Sequence, residues 1–173
     1  MSITNIQTIV NQARQGTGDN MDVMTLSFWF SSIFIGPLWM LMWFLPKHEI
    51  TKKVVGDLRI CIIPLIASYA LLLIPNISEV LMALGTQMPT PEIVVNLFST
   101  DDLIILAWLH FLAMDTFAGR YVWMRMIAAD KPIQFSMPVL ALCMFVGPIG
   151  LLLGILTTLD VEDDISNPTG TIE

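Results

Sequence analysis

Charge is what this sequence is short of. Lysine, arginine, aspartate and glutamate together make up 13% of its 173 residues, and only eight of them are basic against fifteen acidic. That balance, a formal net charge of −7, leaves no cationic patch for a phosphate backbone, so no nucleic-acid partner is expected. Cysteine is sparser still, at two residues. Cys61 and Cys143 both fall inside apolar runs, which excludes a disulfide framework and marks them as small buried side chains. Of two histidines, only His110 lies in an apolar run, too few for haem ligation from both faces within one chain. There is no cluster with metal-ligand spacing, no glycine-rich phosphate loop and no nucleophile elbow, so neither metal nor cofactor is expected. The first residues have no basic segment leading into an apolar stretch and no Arg/Ser-rich transit pattern. The expectation from this is a bacterial cytoplasmic membrane rather than an organelle.

What is abundant is apolar surface, 55% of residues. Four long stretches, residues 24–45, 58–74, 103–122 and 135–156, each reach or approach the roughly 20 residues that cross a bilayer as helix. The expected fold is all-α, a four-span transmembrane helical bundle with short interfacial helices. Its domain covers residues 24–159, behind a polar or interfacial segment at 1–23 and ahead of an acidic, disordered tail at 160–173. Within 1–23, Gln15 to Asn20 reads as a loop. The second stretch is short and carries Pro64, which predicts either an extension into its flanks or a kink. Between the second and third, Ile77–Gly85 and Glu92–Ser99 read as short interfacial helices separated by a break around Pro89 and Pro91.

The few basic residues are not scattered. Lys47, Lys52, Lys53 and Arg59 sit between or at the ends of the first two stretches, and Arg120, Arg125 and Lys131 between or at the ends of the last two. By the positive-inside rule both short loops are cytoplasmic, which puts both termini on the opposite side of a multi-pass cell-membrane protein.

Against this background, the third stretch is the expensive one. It carries His110, Asp115 and Arg120, and an ionised Asp at mid-bilayer costs about 2.5–3.5 kcal/mol on insertion scales. On a regular helix His110 and Asp115 are roughly 140° apart, so each needs a partner from a different neighbour. Counting from the far side puts His110 roughly 10 Å in and Asp115 roughly 18 Å in. Ser31 and Ser32 then come level with His110, and Gly36-Pro37 with Asp115. Gly147-Pro148 falls near the depth of His110. Carbonyls freed by the two prolines, those of Ile33 and Met144, join Ser68 and Tyr69 as candidate partners for the imidazole or a protonated carboxyl. Arg120 can snorkel, or turn back toward Asp115 through a bend at Gly119. The strings Phe34-Ile-Gly-Pro-Leu38 and Phe145-Val-Gly-Pro-Ile149 look alike and would run in opposite directions, a weak trace of the inverted repeats of transporters. The bland reading is that these polar groups lock helices together.

The string from Trp108 through His110, Asp115 and Gly119 to Arg120, followed by Phe145-Val-Gly147-Pro148-Ile-Gly150, resembles the abscisic-acid-deficient-4-like family of membrane proteins. The stretch from Pro37-Leu-Trp39 to Leu45-Pro46-Lys47 fits that family's first span, and the likeness covers about Phe28 to Leu156. Met114 and Thr116 depart from the bulkier apolar residues usual beside the Asp. The resemblance implies neoxanthin-synthase-like carotenoid chemistry, the isomerisation of an epoxide to an allene without redox change. Such a reaction needs an acid for the epoxide oxygen and a base for a polyene proton. It therefore implies His110 and Asp115 as catalytic groups, with Trp108, Phe111, Phe117, Tyr121 and Arg120 as a substrate-binding set. Gly36, Pro37, Gly119, Gly147 and Pro148 would be structural. Expected partners are membrane lipid and a carotenoid or other hydrophobic ligand, with a homo-oligomer left open. The alternative is a non-catalytic membrane subunit that binds pigment or a protein partner.

Overall fold

The structure, a computed structural model, describes residues 3–86, 90–98 and 101–161. Among them it is all-helical: α1 (Ile3–Phe44), α2 (Glu49–Val54), α3 (Leu58–Cys61), α4 (Ile63–Leu73), a 3-10 turn (Ile74–Asn76), α5 (Ile77–Thr86), α6 (Pro91–Leu97), α7 (Asp101–Ala128), α8 (Ile133–Phe145) and α9 (Gly147–Leu156). The expected single domain over 24–159 divides into two compact units. One holds Met1–Phe34 with Pro64–Leu112, the other Ile35–Ile63 with Ala113–Glu173.

Two helices are long and apolar enough to cross a membrane, α1 over Val23–Phe44 and α7 over Asp102–Ala128. Their apolar side chains are largely on the outside: Leu26, Ile33, Met40, Ile104, Phe111 and Met124 are all exposed. Apolar side chains exposed along two such helices are compatible with a membrane protein.

The helices differ from expectation in three places. Residues 15–20 are helix, not loop. Their glycines lower helix propensity, but no proline there removes a backbone donor, so α1 propagates through them. The second stretch is split. Pro64 lacks an N–H and crowds the carbonyl of Ile60, so α3 ends at Cys61 and α4 restarts at Ile63 as a helix of only 11 residues. The two loop helices are present as α5 and α6, with the Thr90 hydroxyl accepting from Ile93 N at the start of α6 (3.4 Å). Of the break between them, residues 87–89 lie outside the described residues, as do residues 99–100 before α7 and the acidic tail from 162.

The third difference has the largest consequence. The expected fourth crossing, 135–156, is two helices that fold back on each other. Pro148 cannot donate to Met144, the chain breaks at Val146 (φ −141°, ψ 59°), and α9 begins again at Gly147. After the turn Gly150 lies directly against the backbone of Leu142 and Cys143. From there α9 runs alongside α7 in the same direction: Gly147 meets Asp115, Gly154 meets Val122, and Thr158 meets Arg125. The end of α9 is thus carried back to the end of α7 from which α8 set out. Gly147 comes level with Asp115 and not with His110, because the depth count assumed a straight crossing.

The loops at that end are tied to α7. Trp123 Nε1 donates to the Pro46 carbonyl (3.0 Å), and the Arg120 guanidinium donates to the carbonyls of Val55 (2.8 Å) and Gly56 (2.6 Å). The Thr51 hydroxyl closes the loop onto the Leu45 carbonyl (2.6 Å). Lys47 forms an ion pair with Asp130, the ammonium holding that carboxyl below its ordinary range. In the core beneath, Trp39, Met42, Val122, Met126, Leu140 and Cys143 are buried, and both cysteines are free thiols.

Candidate functional site

In the unit formed by Met1–Phe34 and Pro64–Leu112, α7 presents a wall of aromatic and aliphatic side chains. His110 is exposed on it. Its ring lies 5.6 Å from that of Tyr69 on α4 and 6.2 Å from that of Phe111, centroid to centroid. Tyr69, Phe98, Leu103, Leu106, Ala107, His110 and Phe111 enclose a groove of ≈ 200 Å³. A second groove of ≈ 360 Å³ lies beside it, lined by Phe98, Ile104, Ala107, Trp108 and Phe111. Phe98, Ala107 and Phe111 belong to both walls, so the pair of grooves is one bent trough around α7. Trp108 is braced by Phe28 on α1 at 6.2 Å. The trough is apolar except where the imidazole and the phenol face it, which is the make-up of a site for a greasy ligand with one polar end.

Helix periodicity explains the arrangement. Residues 103, 106, 107, 110 and 111 share one face of α7 at the i, i+3, i+4 spacing, and Tyr69 is delivered by the neighbouring α4. Tyr69, expected as a hydrogen-bond partner for the imidazole, lies beside it as a tilted ring contact instead. The Ser68 hydroxyl bonds back to the Pro64 carbonyl (3.1 Å). The hydroxyl oxygens of Ser31 and Ser32 on α1 are buried, with no hydrogen-bond partner for either among the described residues.

Asp115 is not in this trough. It belongs to the unit formed by Ile35–Ile63 and Ala113–Glu173, where its half-buried carboxyl packs on Gly147 at the turn between α8 and α9. A Cβ at position 147 would occupy the place of Asp115 Oδ1. His110 and Asp115 fall in different units, and each meets a different neighbour, Tyr69 and Gly147, as their angular separation on one helix requires.

The remaining residues sort by unit. Trp108 and Phe111 line the trough, while Phe117 and Tyr121 lie in the other unit. There Phe117 is exposed, and Tyr121 stands under Arg125 with its hydroxyl 3.2 Å from Nη1 and its ring 5.7 Å from Cζ. The Arg120 guanidinium donates to the carbonyls of Val55 and Gly56 after α2, and among the described residues it forms no ion pair with Asp115. Gly119 is no bend. It seats the edge of the Trp39 indole, whose Cζ2 and Cζ3 would be 3.0 Å from a Cβ there, and α7 runs on without interruption. Gly36-Pro37 stays inside α1, with open space around Gly36. Phe98 went unnoticed in the sequence because it follows α6 in a stretch read only as interfacial.

A family profile described as ABA DEFICIENT 4-like matches residues 26–153. The chain belongs to that family. The match takes in both apolar spans, the trough and the turn at Gly147, and with the two long apolar helices it fits a membrane protein related to neoxanthin synthase. No curated protein and no solved structure matches the chain. Among the described residues no group of three or more His, Cys, Asp or Glu is placed to hold a metal.

Proposed function

We propose that this ABA DEFICIENT 4-like chain binds the polar end of a carotenoid or related terpenoid in the trough beside α7 and isomerises it by acid–base chemistry. The observation that carries the reading is the placement of His110 with Tyr69 at an otherwise apolar groove. A cavity of ≈ 200 Å³ takes an end ring, leaving the polyene to lie along exposed apolar side chains in the bilayer. For an epoxide-to-allene conversion, the Tyr69 hydroxyl gives its proton to the epoxide oxygen as the C–O bond breaks, and His110 removes a proton from the polyene. Return of that proton to Tyr69 resets the pair, and no electrons leave the substrate. Asp115 supports the turn at Gly147 in this reading and acts as a positioning residue.

The test is the pigment profile of cells that express the protein with a set of carotenoid pathways, at matched protein level. The native chain should yield a new isomer, His110→Phe should abolish it, and Tyr69→Phe should lower it by about 10²-fold or more. Asp115→Asn, similar in shape, should keep measurable conversion. Unchanged pigment co-purifying with all four proteins would instead make the chain a binding subunit, and full conversion by His110→Phe would reject the site.

The same reading makes the chain a multi-pass protein of a bacterial-type cytoplasmic membrane, with the basic loops inside and α8–α9 as a re-entrant hairpin. Non-helical backbone at depth is tolerated where neighbouring protein covers it, as α7 covers this turn. Single cysteines introduced at Lys131 and at Asp160 should then label from the same membrane face, the cytoplasmic one. Labelling from opposite faces would restore a full fourth crossing. The two native thiols are buried and give little background.

A further inference from the structure

A second cavity opens at the other end of α1. It measures ≈ 540 Å³ and is lined by Phe44, Leu45, Pro46, Lys47, His48 and Ile133. Its position is set by the sequence: the apolar span of α1 ends at Phe44, and the basic loop begins at Lys47. One wall is therefore apolar and the other carries donors.

The donors are free to act. His48 Nδ1 accepts from Ile50 N (3.1 Å) at the start of α2, so in the neutral ring the proton is on Nε2, which remains unspent on an exposed side chain. The Lys47 ammonium has three N–H donors, and its exposed ion pair with Asp130 is weak enough to be shared. The loop from Leu45 to Arg59 carries four basic residues against two acidic ones, a local excess of positive charge in an acidic protein. A cavity that is greasy toward the span and cationic toward the loop, at the level where the span ends, is shaped for an amphiphile with an anionic head.

We propose that this cavity seats an anionic phospholipid, its phosphate against Lys47 and His48 and one acyl chain along Phe44, Leu45 and Ile133. Asp130 stays on the far side of the Lys47 ammonium, which bridges carboxylate and phosphate. The lipid pins the end of α1 to the membrane surface, in a unit other than the one that holds the trough, so the site stands or falls independently of the carotenoid chemistry.

The experiment uses the full-length protein in detergent, titrated with phosphatidylglycerol or phosphatidylcholine of matched chains and read by native mass spectrometry. Phosphatidylglycerol should bind roughly five- to tenfold more tightly than phosphatidylcholine. The double substitution Lys47→Gln with His48→Asp, which keeps a side-chain acceptor for the first turn of α2, should erase that preference. Ile133→Trp, which fills the apolar side, should weaken both lipids alike. Thermal unfolding confirms that the variants remain folded; Lys53→Gln, on an exposed residue outside the cavity, should behave as wild type. Soluble glycerol phosphate should fail to compete at concentrations that saturate with lipid. Equal binding of the two lipids, a preference that survives the double substitution, or full competition by glycerol phosphate would each overturn the assignment.

Discussion

Replacing Gly150 with alanine is expected to destabilise the protein by about 3 kcal/mol or more, at or above the upper end for overpacked interiors. The added methyl group would fall among the backbone atoms of Leu142 and Cys143, with the Leu142 carbonyl carbon only 2.5 Å away. Backbone cannot swing aside as a side chain can, so α9 would have to part from α8. The control is Gly36→Ala. No atom beyond its chain neighbours and its own helix backbone comes within 4 Å of a Cβ at Gly36, in the interior of α1. The gain in helix propensity there is set against the crowding that Pro37 imposes on a preceding Cβ, so alanine should change stability by no more than about 1 kcal/mol. Both glycines precede a proline or follow one in nearly the same string, so composition does not separate them. Thermal unfolding in detergent, with the fraction of monodisperse protein, compares the two. Equal melting of both variants would mean the hairpin is not packed as described. Gly154→Ala gives an intermediate case, since it meets the Val122 side chain at 2.5 Å, and a second substitution, Val122→Ala, should recover most of the loss.

Arg125→Ala should cost about 3 kcal/mol, in the range for stripping the partner from buried, charge-assisted hydrogen bonds. Arg125 is only 6% exposed. Its guanidinium donates to the Thr158 hydroxyl (2.9 Å), the Thr158 carbonyl (2.5 Å), the Val161 carbonyl (3.1 Å) and the Tyr121 hydroxyl (3.2 Å). Those carbonyls follow the last turn of α9, and the Thr158 carbonyl also accepts from Val161 N (3.1 Å), so the guanidinium holds this closing turn against α7. Arg125→Lys keeps the charge but not the fork, so it should recover only part of the loss. Tyr121→Phe, removing one acceptor and keeping the ring, should cost about 1 kcal/mol. If Arg125→Ala unfolds at the wild-type temperature, the guanidinium does not hold the hairpin to α7.

Much of this was legible in the chain, for identifiable reasons. The two long helices follow from runs of apolar residues that meet no proline able to stop them, and α5 and α6 from short apolar runs fenced by Pro89 and Pro91. The His110–Tyr69 pairing was legible because both residues are polar in apolar surroundings and have few other partners. The hairpin was not. A mostly apolar stretch of 22 residues with a Gly-Pro near its middle reads the same whether the helix bends slightly or reverses, and α1 and α8 show that Pro37 and Pro138 can be absorbed without a break. What decides is tertiary: glycines at 147, 150 and 154 let α9 lie close to α7 and α8, and no equivalent neighbour meets Gly36. The hydrogen bonds of Arg120 were out of reach for the same kind of reason. Its carbonyl partners at Val55 and Gly56 are 65 and 64 residues away, beyond what spacing within one helix reveals.

The broken helices carry a consequence for the lipid around them. α8, with 13 residues, is about 20 Å long, and α9, with 10, about 15 Å, both well short of the roughly 30 Å hydrocarbon layer. A bilayer accommodates such stubs by dimpling toward them, and shorter fatty-acyl tails need to dimple less. The protein should therefore be best preserved in nanodiscs assembled from twelve- to fourteen-carbon lipids and lose stability as the tails lengthen, the reverse of what four full crossings would show.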